Sequence, residues 1–205
     1  MAGVSLVAWY LVSNTIHNLE ARKIASGFAF LAREAGFEIG ETTLVEFGAA
    51  DSYLRALTVG LLNTFRVAVI GIVCATFLGT LIGLARLSTN WLVAKLAGGY
   101  VEVMRNIPLI VQLFFWYAVI SENLPAPREA LSPFPGVFLS NRGIAFPTPW
   151  STPSLEGFNF TGGAVLTPEF AALLFGLVIY TAAFIAEIVR AGVLAVDQGQ
   201  PEAAA

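Results

Sequence analysis

The stretch VAVIGIVCATFLGTLIGLA at 67–85 is nineteen residues long and carries no charge. A helix needs about 20 mostly apolar residues to cross the hydrocarbon core of a bilayer. This stretch therefore predicts a membrane span at about 56–86, in which Arg66 is the only charge before Arg86. The whole chain is 57% hydrophobic and only 12% charged, whereas soluble domains are about 25% charged. We expect an all-α polytopic helical bundle with long external loops.

Two other apolar stretches predict spans. Residues 106–121 are uncharged but short, so we expect the helix to begin nearer Ala94, to bend at Pro108 and to span 94–121. Residues 170–186 are also uncharged and predict a span at about 168–196, which then contains Glu187 and Arg190.

The remaining segments divide the chain. Residues 1–12 are apolar and predict part of a first transmembrane helix, and both ends of the chain look truncated. Residues 13–52 hold six acidic and three basic side chains and predict an external loop with a short interfacial helix. Residues 53–205 predict an incomplete transmembrane domain. Within it, eight of the ten prolines fall in 122–168, so 122–167 is expected to be an extended external loop.

Basic residues near the span ends predict the orientation. The connection between the first two complete spans contains Arg86, Lys95 and Arg105 but only one acid, Glu102. Cytoplasmic loops carry an excess of lysine and arginine. The 86–105 connection and the C-terminal end are therefore expected in the cytoplasm.

Polar side chains within the spans are the candidate functional residues, because ionisable groups in a membrane usually face a cavity or a partner. Arg66 and Asn63 share one helical face, although Arg66 could instead extend toward the membrane surface. Gln112 either lines a pathway or bonds to a neighbouring helix. Glu187 and Arg190 are three residues apart and can pair as a clamp or act in gating.

Small residues recur every four positions in the 56–86 span, at Gly71, Ala75, Gly79 and Gly83. Such a stripe lets another backbone approach closely. It predicts either a packing seam of a transporter or dimer, or ordinary helix packing.

Several classes of function are disfavoured. A single histidine, His17, and a single cysteine, Cys74, give no metal site. A net charge of −3 gives no reason to expect nucleic acid. The chain also lacks the GxxxxGK[ST] phosphate loop of an ATPase, so we expect no enzymatic activity and no cofactor bound by this chain.

The segment that follows the last span starts a new helix. Gly199 ends the preceding helix, and Pro201 with Glu202 suit a first helical turn. The stretch GQPEAAA at 199–205 resembles the opening of the EAA loop of ABC-importer permeases.

Other stretches resemble the polar and general L-amino-acid permeases of that family. They are SGFAFLAREAGFEI (26–39), GLLNTFRVAVIGIV (60–73), RLSTNWLVA (86–94), RNIPLIVQLFFWY (105–117), NRG (141–143) and YTAAFIAEIVRAG (180–192). The family motif that precedes the predicted bend is carried by Arg105, Asn106 and Pro108.

The resemblance implies a permease subunit of an amino-acid ABC importer in the bacterial inner membrane. It implies three protein partners: an ATPase subunit that uses ATP, a second identical or different permease subunit, and a periplasmic amino-acid-binding protein. The ATPase contact then falls on the start of the coupling helix at 199–205, namely Gly199, Gln200, Pro201, Glu202, Ala203 and Ala204.

Three other classes of function fit the sequence less well. A secondary transporter or channel subunit would work without ATPases and would have no cytoplasmic docking helix. An integral membrane enzyme would need a catalytic cluster that the spans do not supply. A purely structural membrane protein would leave the clustered resemblance unexplained.

Overall fold

The computed structural model describes residues 2–22 and 27–196. Their contacts group into two units, Met1–Leu61 and Leu62–Ala205. The α-helices are α1 Ala2–Ala21, α2 Tyr53–Ala85, α3 Trp91–Asn106, α4 Leu109–Asn123 and α5 Pro168–Leu194. The strands are β1 Leu131–Phe134, β2 Val137–Ser140, β3 Gly143–Phe146, β4 Ser154–Glu156, β5 Asn159–Thr161 and β6 Ala164–Leu166.

In the first unit, α1 continues well past residue 12 and leaves its apolar side chains exposed. In the segment where we expected a short interfacial helix, the structure has a 3-10 helix at Ala29–Ala32. The following loop is closed by backbone hydrogen bonds, with the Ala35 amide 2.7 Å from the Asp51 carbonyl oxygen. Its aromatic side chains cluster, since the Phe37 ring lies 6.1 Å from that of Tyr53.

Two helices of the described residues, α2 and α5, are long and apolar enough to cross a membrane. The pair α3 and α4 counts as a third span only if it is taken as one broken span, because the two axes differ by 104°. The break lies at Ile107 and Pro108, both of which have extended ψ angles. Proline lacks the amide that would continue the helix and restricts the residue before it, so α3 ends at this point.

Helix α5 lies against α2 through small residues. Ala182, Ala183 and Ala186 of α5 are completely buried. A Cβ atom added to Gly79 of α2 would lie 2.6 Å from the Cβ of Ile185, and one added to Gly83 would lie 2.8 Å from the Ala186 carbonyl oxygen. The predicted small-residue stripe of α2 therefore includes a close packing seam against α5 within the chain.

The proline-rich segment is not an extended loop. Strands β1, β2, β3 and β6 form a four-stranded antiparallel sheet in that order, and β4 pairs with β5 in a separate hairpin. The expectation of an all-α polytopic bundle is therefore wrong, and the described residues supply only two to three apolar spans.

Short strands and turn residues explain why proline did not prevent the sheet from forming. Pro133 lies in β1, an edge strand in which a missing amide is tolerated. At Gly143, φ is +116°, and a Cβ atom there would lie 2.0 Å from the Leu166 carbonyl oxygen. Only glycine permits this close approach of β3 to the end of β6.

The four-stranded sheet has two distinct ends. One end, formed by Ser140, Gly143 and Leu166, adjoins the helices, because α5 starts directly after β6 and the Asn141 amide donates to the Pro125 carbonyl oxygen just after α4. We call this the helix end of the sheet. The opposite end, formed by Phe134, Val137, Phe146 and Ala164, is the distal end.

A glycine-to-alanine change on α2 tests the close packing seam. In G79A the new methyl group must displace Ile185 or the α5 backbone, so we expect the purified protein to lose about 1–3 kcal/mol of stability, measured as a lower thermal midpoint in detergent. The matched control is G71A, whose Cβ would meet only the Leu174 side chain at 4.0 Å. Equal midpoints for the two variants would contradict the seam.

Candidate functional site

The connection between α2 and α3 places basic side chains beside the C-terminal half of α5. Helix α2 ends at Ala85, and the Arg86 amide still donates to the Ile82 carbonyl oxygen. Asn90 then caps α3, since its side-chain oxygen accepts from the Leu92 and Val93 amides. The Asn90 cap fixes where α3 begins and therefore where its last turn places Arg105.

Glu187 of α5 is shared by three arginines. Its Oε2 accepts from the Arg86 guanidinium and lies 3.4 Å from Arg105 Nη1, while its Oε1 lies 3.6 Å from Arg190 Nη1. The Arg105 guanidinium also lies over the Phe184 ring, 5.3 Å from its centroid. We call Glu187, Arg86, Arg105 and Arg190 the ionic cluster. It joins the end of α2 and the last turn of α3 to α5.

The burial of these groups differs. The Arg86 side chain is only 18% exposed, whereas those of Arg105 and Arg190 are 42% and 37% exposed. A partly buried charge left without its partner is costly, while exposed ion pairs contribute little. The Arg86–Glu187 pair is therefore the part of the cluster that matters most for stability.

A cavity of about 560 Å³ opens beside the ionic cluster. Two arginines and two carboxylates line it, Arg86 with Arg105 and Glu102 with Glu187. Asn106 and Phe184 complete its polar and aromatic wall, and Gly98 and Val101 line the rest. Glu102 is exposed and pairs with no arginine within the described ranges. The cavity therefore presents both positive and negative side chains next to the ends of α2 and α3.

A second contact between helices passes through Tyr100. Its hydroxyl donates to the Ile179 carbonyl oxygen of α5 at 2.6 Å. Together with the ionic cluster, this bond fixes α3 against α5 at two points. Sequence reasoning missed it, because Tyr100 lies outside every motif and its partner is a backbone atom.

Gln112 forms hydrogen bonds at the break between α3 and α4. Its side chain is 5% exposed, and its Nε2 donates to the Met104 and Ile107 carbonyl oxygens at 3.0 and 3.1 Å. These carbonyls belong to the end of α3, where helical hydrogen bonds stop. Of the two roles considered for Gln112, the structure supports bonding to a neighbouring helix end. Its Oε1 has no hydrogen-bond partner among the described residues.

Arg66 and Asn63 lie at the other end of α5 from the ionic cluster. The Arg66 guanidinium lies 4.4 Å from the centroid of the Phe170 ring, in the first turn of α5. Asn63 is half-buried one turn earlier on α2. Phe170 and Glu187 are seventeen residues apart on α5, which is about 25 Å along a helix. The structure therefore separates the sequence candidates into two groups.

The family-motif residues fall on the two sides of the α3–α4 break. Arg105 joins the ionic cluster, Asn106 lines the cavity, and Pro108 precedes the first turn of α4. The predicted ATPase contact at Gly199–Ala204 lies outside the described residues.

Arg86 is the functional candidate that sequence reasoning missed. In the sequence it indicates only the orientation, as a basic residue between two spans. An arginine directly after one span and a carboxylate within another are the signal that could have paired them, but only the packing of α2 on α5 brings them together.

The described residues hold no group of three or more His, Cys, Asp or Glu side chains that could bind a metal ion.

Known proteins similar to this chain are amino-acid permeases. It is 42% identical to the amino-acid ABC transporter permease protein YhdX of Escherichia coli, over the whole chain and 68% of that protein. It is 40% identical to the general L-amino acid transport system permease protein AapQ of Rhizobium johnstonii, over 96% of the chain and 65% of AapQ. These similarities confirm the resemblance drawn from the sequence motifs.

A third relative is the glutamate/glutamine/aspartate/asparagine transport system permease protein BztB of Rhodobacter capsulatus. It is 32% identical over 95% of the chain and 67% of BztB. The chain thus spans about two thirds of the length of these relatives. The alignment with YhdX runs over 268 positions although the chain has 205 residues, so YhdX has segments between the matched stretches that are absent here.

No protein-family model matches the chain. The crystal structure of an amino acid ABC transporter with histidines is similar at 24% identity and a TM-score of 0.41, over 75% of this chain and 56% of the other. That likeness is too distant to define the packing of this chain.

Replacing Glu187 tests the ionic cluster. In E187Q the three guanidinium groups lose their shared carboxylate, so we expect a loss of about 1–3 kcal/mol, seen as a lower thermal midpoint in detergent. E102Q is the matched control, because it removes an exposed carboxylate of the same cavity that pairs with no arginine among the described residues. A midpoint for E187Q equal to that of E102Q would show that the cluster does not stabilise the helices.

Replacing Gln112 tests the helix break. Q112M keeps the side-chain length but removes both hydrogen bonds to the end of α3, and we expect a loss of about 1–3 kcal/mol. The comparison variant is N123L, which removes an exposed amide bond to the Ala118 carbonyl oxygen on the same helix. Its loss should stay within about 0.5 kcal/mol, since water replaces that bond. The free energy of unfolding of both proteins is measured by denaturant titration. If Q112M loses no more stability than N123L, Gln112 does not stabilise the end of α3.

Proposed function

We propose the following role for this chain, which belongs to the family of amino-acid ABC transporter permeases: it is a permease subunit that forms part of the translocation pathway of an amino-acid importer. The observation that carries the proposal beyond family membership is the ionic cluster. It fixes the ends of α2 and α3 to the part of α5 that leads directly to the EAA-like segment at 199–205.

The cluster supports a coupling role through its position. A displacement of the segment after α5 would be transmitted to Glu187 and Arg190, because α5 is a continuous helix up to Leu194. From there, Arg86 and Arg105 would transmit the movement to the ends of α2 and α3. Ion pairs between helix ends have discrete arrangements, which is what a two-state transmission element requires.

The membrane setting supports the same role. The chain is a membrane protein with two to three candidate spans, and lysine and arginine near the α2–α3 connection favour the cytoplasm for that end. We assign the chain to the bacterial inner membrane as a multi-pass subunit, with the sheet of 131–166 on the external side.

The partners in this proposal are those of an ABC importer. An ATPase subunit would bind at Gly199–Ala204 and hydrolyse ATP, while this chain binds no cofactor and hydrolyses nothing. A second permease subunit would complete the pathway. A periplasmic amino-acid-binding protein would deliver substrate, and nucleic acid has no part. Asn63 and Arg66, at the opposite end of α5 from the cluster, are the pathway candidates on the external side.

Charge reversal in the EAA-like segment tests the ATPase contact. E202K in the full-length protein should reduce the ATPase that co-purifies with the permease about tenfold, which corresponds to about 1.4 kcal/mol of binding free energy. Transport of labelled amino acid into proteoliposomes should fall with it. The measurement is the ATPase-to-permease ratio after affinity purification of the membrane complex.

The matched control for this test is E122K. Glu122 is exposed near the end of α4 that adjoins the sheet, at the opposite side of the membrane in our assignment. E122K should bind the ATPase normally. Unchanged ATPase binding and unchanged transport in E202K would refute the contact, and uptake that proceeds without ATP would refute the importer itself.

A further inference from the structure

The β4–β5 hairpin folds back toward the helices. Its base lies at the distal end of the sheet, because the Ser151 hydroxyl accepts from the Gly163 amide, directly before Ala164. Further along the hairpin, Phe160 stacks on Phe138 of β2 with ring centroids 4.7 Å apart. Its apex at Gly157 and Phe158 reaches the helix end. There Arg128 Nε donates to the Gly157 carbonyl oxygen at 3.4 Å.

Arg128 locates this apex relative to the spans. It lies in the 3-10 helix Pro127–Glu129, which follows the end of α4 closely. Its guanidinium also covers the Phe158 ring, 4.5 Å from the centroid. The apex therefore lies near the ends of α4 and α5, and α5 is apolar enough to cross a membrane.

The side chain at the apex is unusual for a water-facing turn. Phe158 is 70% exposed, and one face of its ring is covered by Arg128. Aromatic side chains are enriched at the level of lipid headgroups, where an apolar ring and polar groups are both accommodated. Arginine at this level can donate to phosphate oxygens with its planar guanidinium.

The charges around the apex favour a headgroup that carries both a negative and a positive charge. Two exposed carboxylates, Glu129 and Glu156, are chain neighbours of Arg128 and Gly157, and within the described ranges neither pairs with an arginine. A headgroup that carries a phosphate and an ammonium matches one guanidinium flanked by carboxylates. A headgroup with only negative charge would be repelled by the two carboxylates.

We propose that the apex of the β4–β5 hairpin, Phe158 with Arg128, docks on the surface of a zwitterionic phospholipid bilayer. Phe158 enters the headgroup layer and Arg128 binds lipid phosphate, so the hairpin braces the sheet against the membrane beside α4 and α5. This lipid contact does not depend on transport.

Site-directed spin labelling tests this proposal. Because Cys74 is the single cysteine, a C74A background allows one nitroxide label at F158C and another at F134C. Phe134 is a matched control, being 69% exposed at the distal end of the sheet. The labelled proteins are reconstituted in bilayers of phosphatidylcholine and phosphatidylethanolamine. Collisions with lipid-soluble oxygen and with a water-soluble nickel chelate are then compared by electron paramagnetic resonance.

We expect the oxygen-to-nickel accessibility ratio to be severalfold higher at 158 than at 134. Adding R128Q should lower the ratio at 158, whereas R142Q, an exposed arginine in the β2–β3 turn at the same end of the sheet, should not. Equal ratios at 158 and 134 would overturn the proposal. A high ratio at 158 that appears only after phosphatidylglycerol is added would overturn the zwitterionic assignment. The experiment needs neither ATP nor substrate, so its outcome is independent of the proposed transport role.

Discussion

The close packing of α5 is the constraint on which the helical part of this protein depends. Four alanines of α5 are completely buried, and Gly79 and Gly83 of α2 bring that helix so close that a methyl group would not fit between them. In a membrane, lipid chains are as apolar as leucine side chains, so burial of apolar surface gives helices little reason to associate. Close contact between small residues supplies dispersion attraction instead. It also brings polar groups of neighbouring helices within reach of α5.

The ionic cluster is a consequence of that packing. Arg86 follows the end of α2 and Arg105 lies in the last turn of α3, so each reaches Glu187 only when its helix lies against α5. One carboxylate facing three guanidinium groups leaves an excess of positive charge, part of which is exposed. Such a cluster can rearrange without exposing a hydrophobic core. This property fits the coupling role that we propose for the cluster.

The sheet shows where the reading of composition failed. Eight prolines in 122–168 exclude a long helix and predict an extended loop, but the structure has strands there. Strands of three or four residues, however, place prolines at edges and between hairpins, where no ladder hydrogen bond is lost. Pro-Gly at 135–136 and Gly157 were available as turn signals. Each flanking strand, however, is too short to give a clear alternating pattern.

The sequence by itself determined that the chain enters a membrane, which of its segments are apolar enough to do so, and to which family it belongs. Each of these is a local property, since it depends on runs of adjacent residues that a single chain displays. Pro108 likewise marks the break within the predicted span at 94–121. Tertiary structure alone decided that Gln112 serves the carbonyls at the α3 break, that Arg86 meets Glu187, and that the β4–β5 hairpin returns toward the helices. These contacts join residues far apart in the chain, and their partners are fixed by helix packing and strand pairing, which no local pattern encodes.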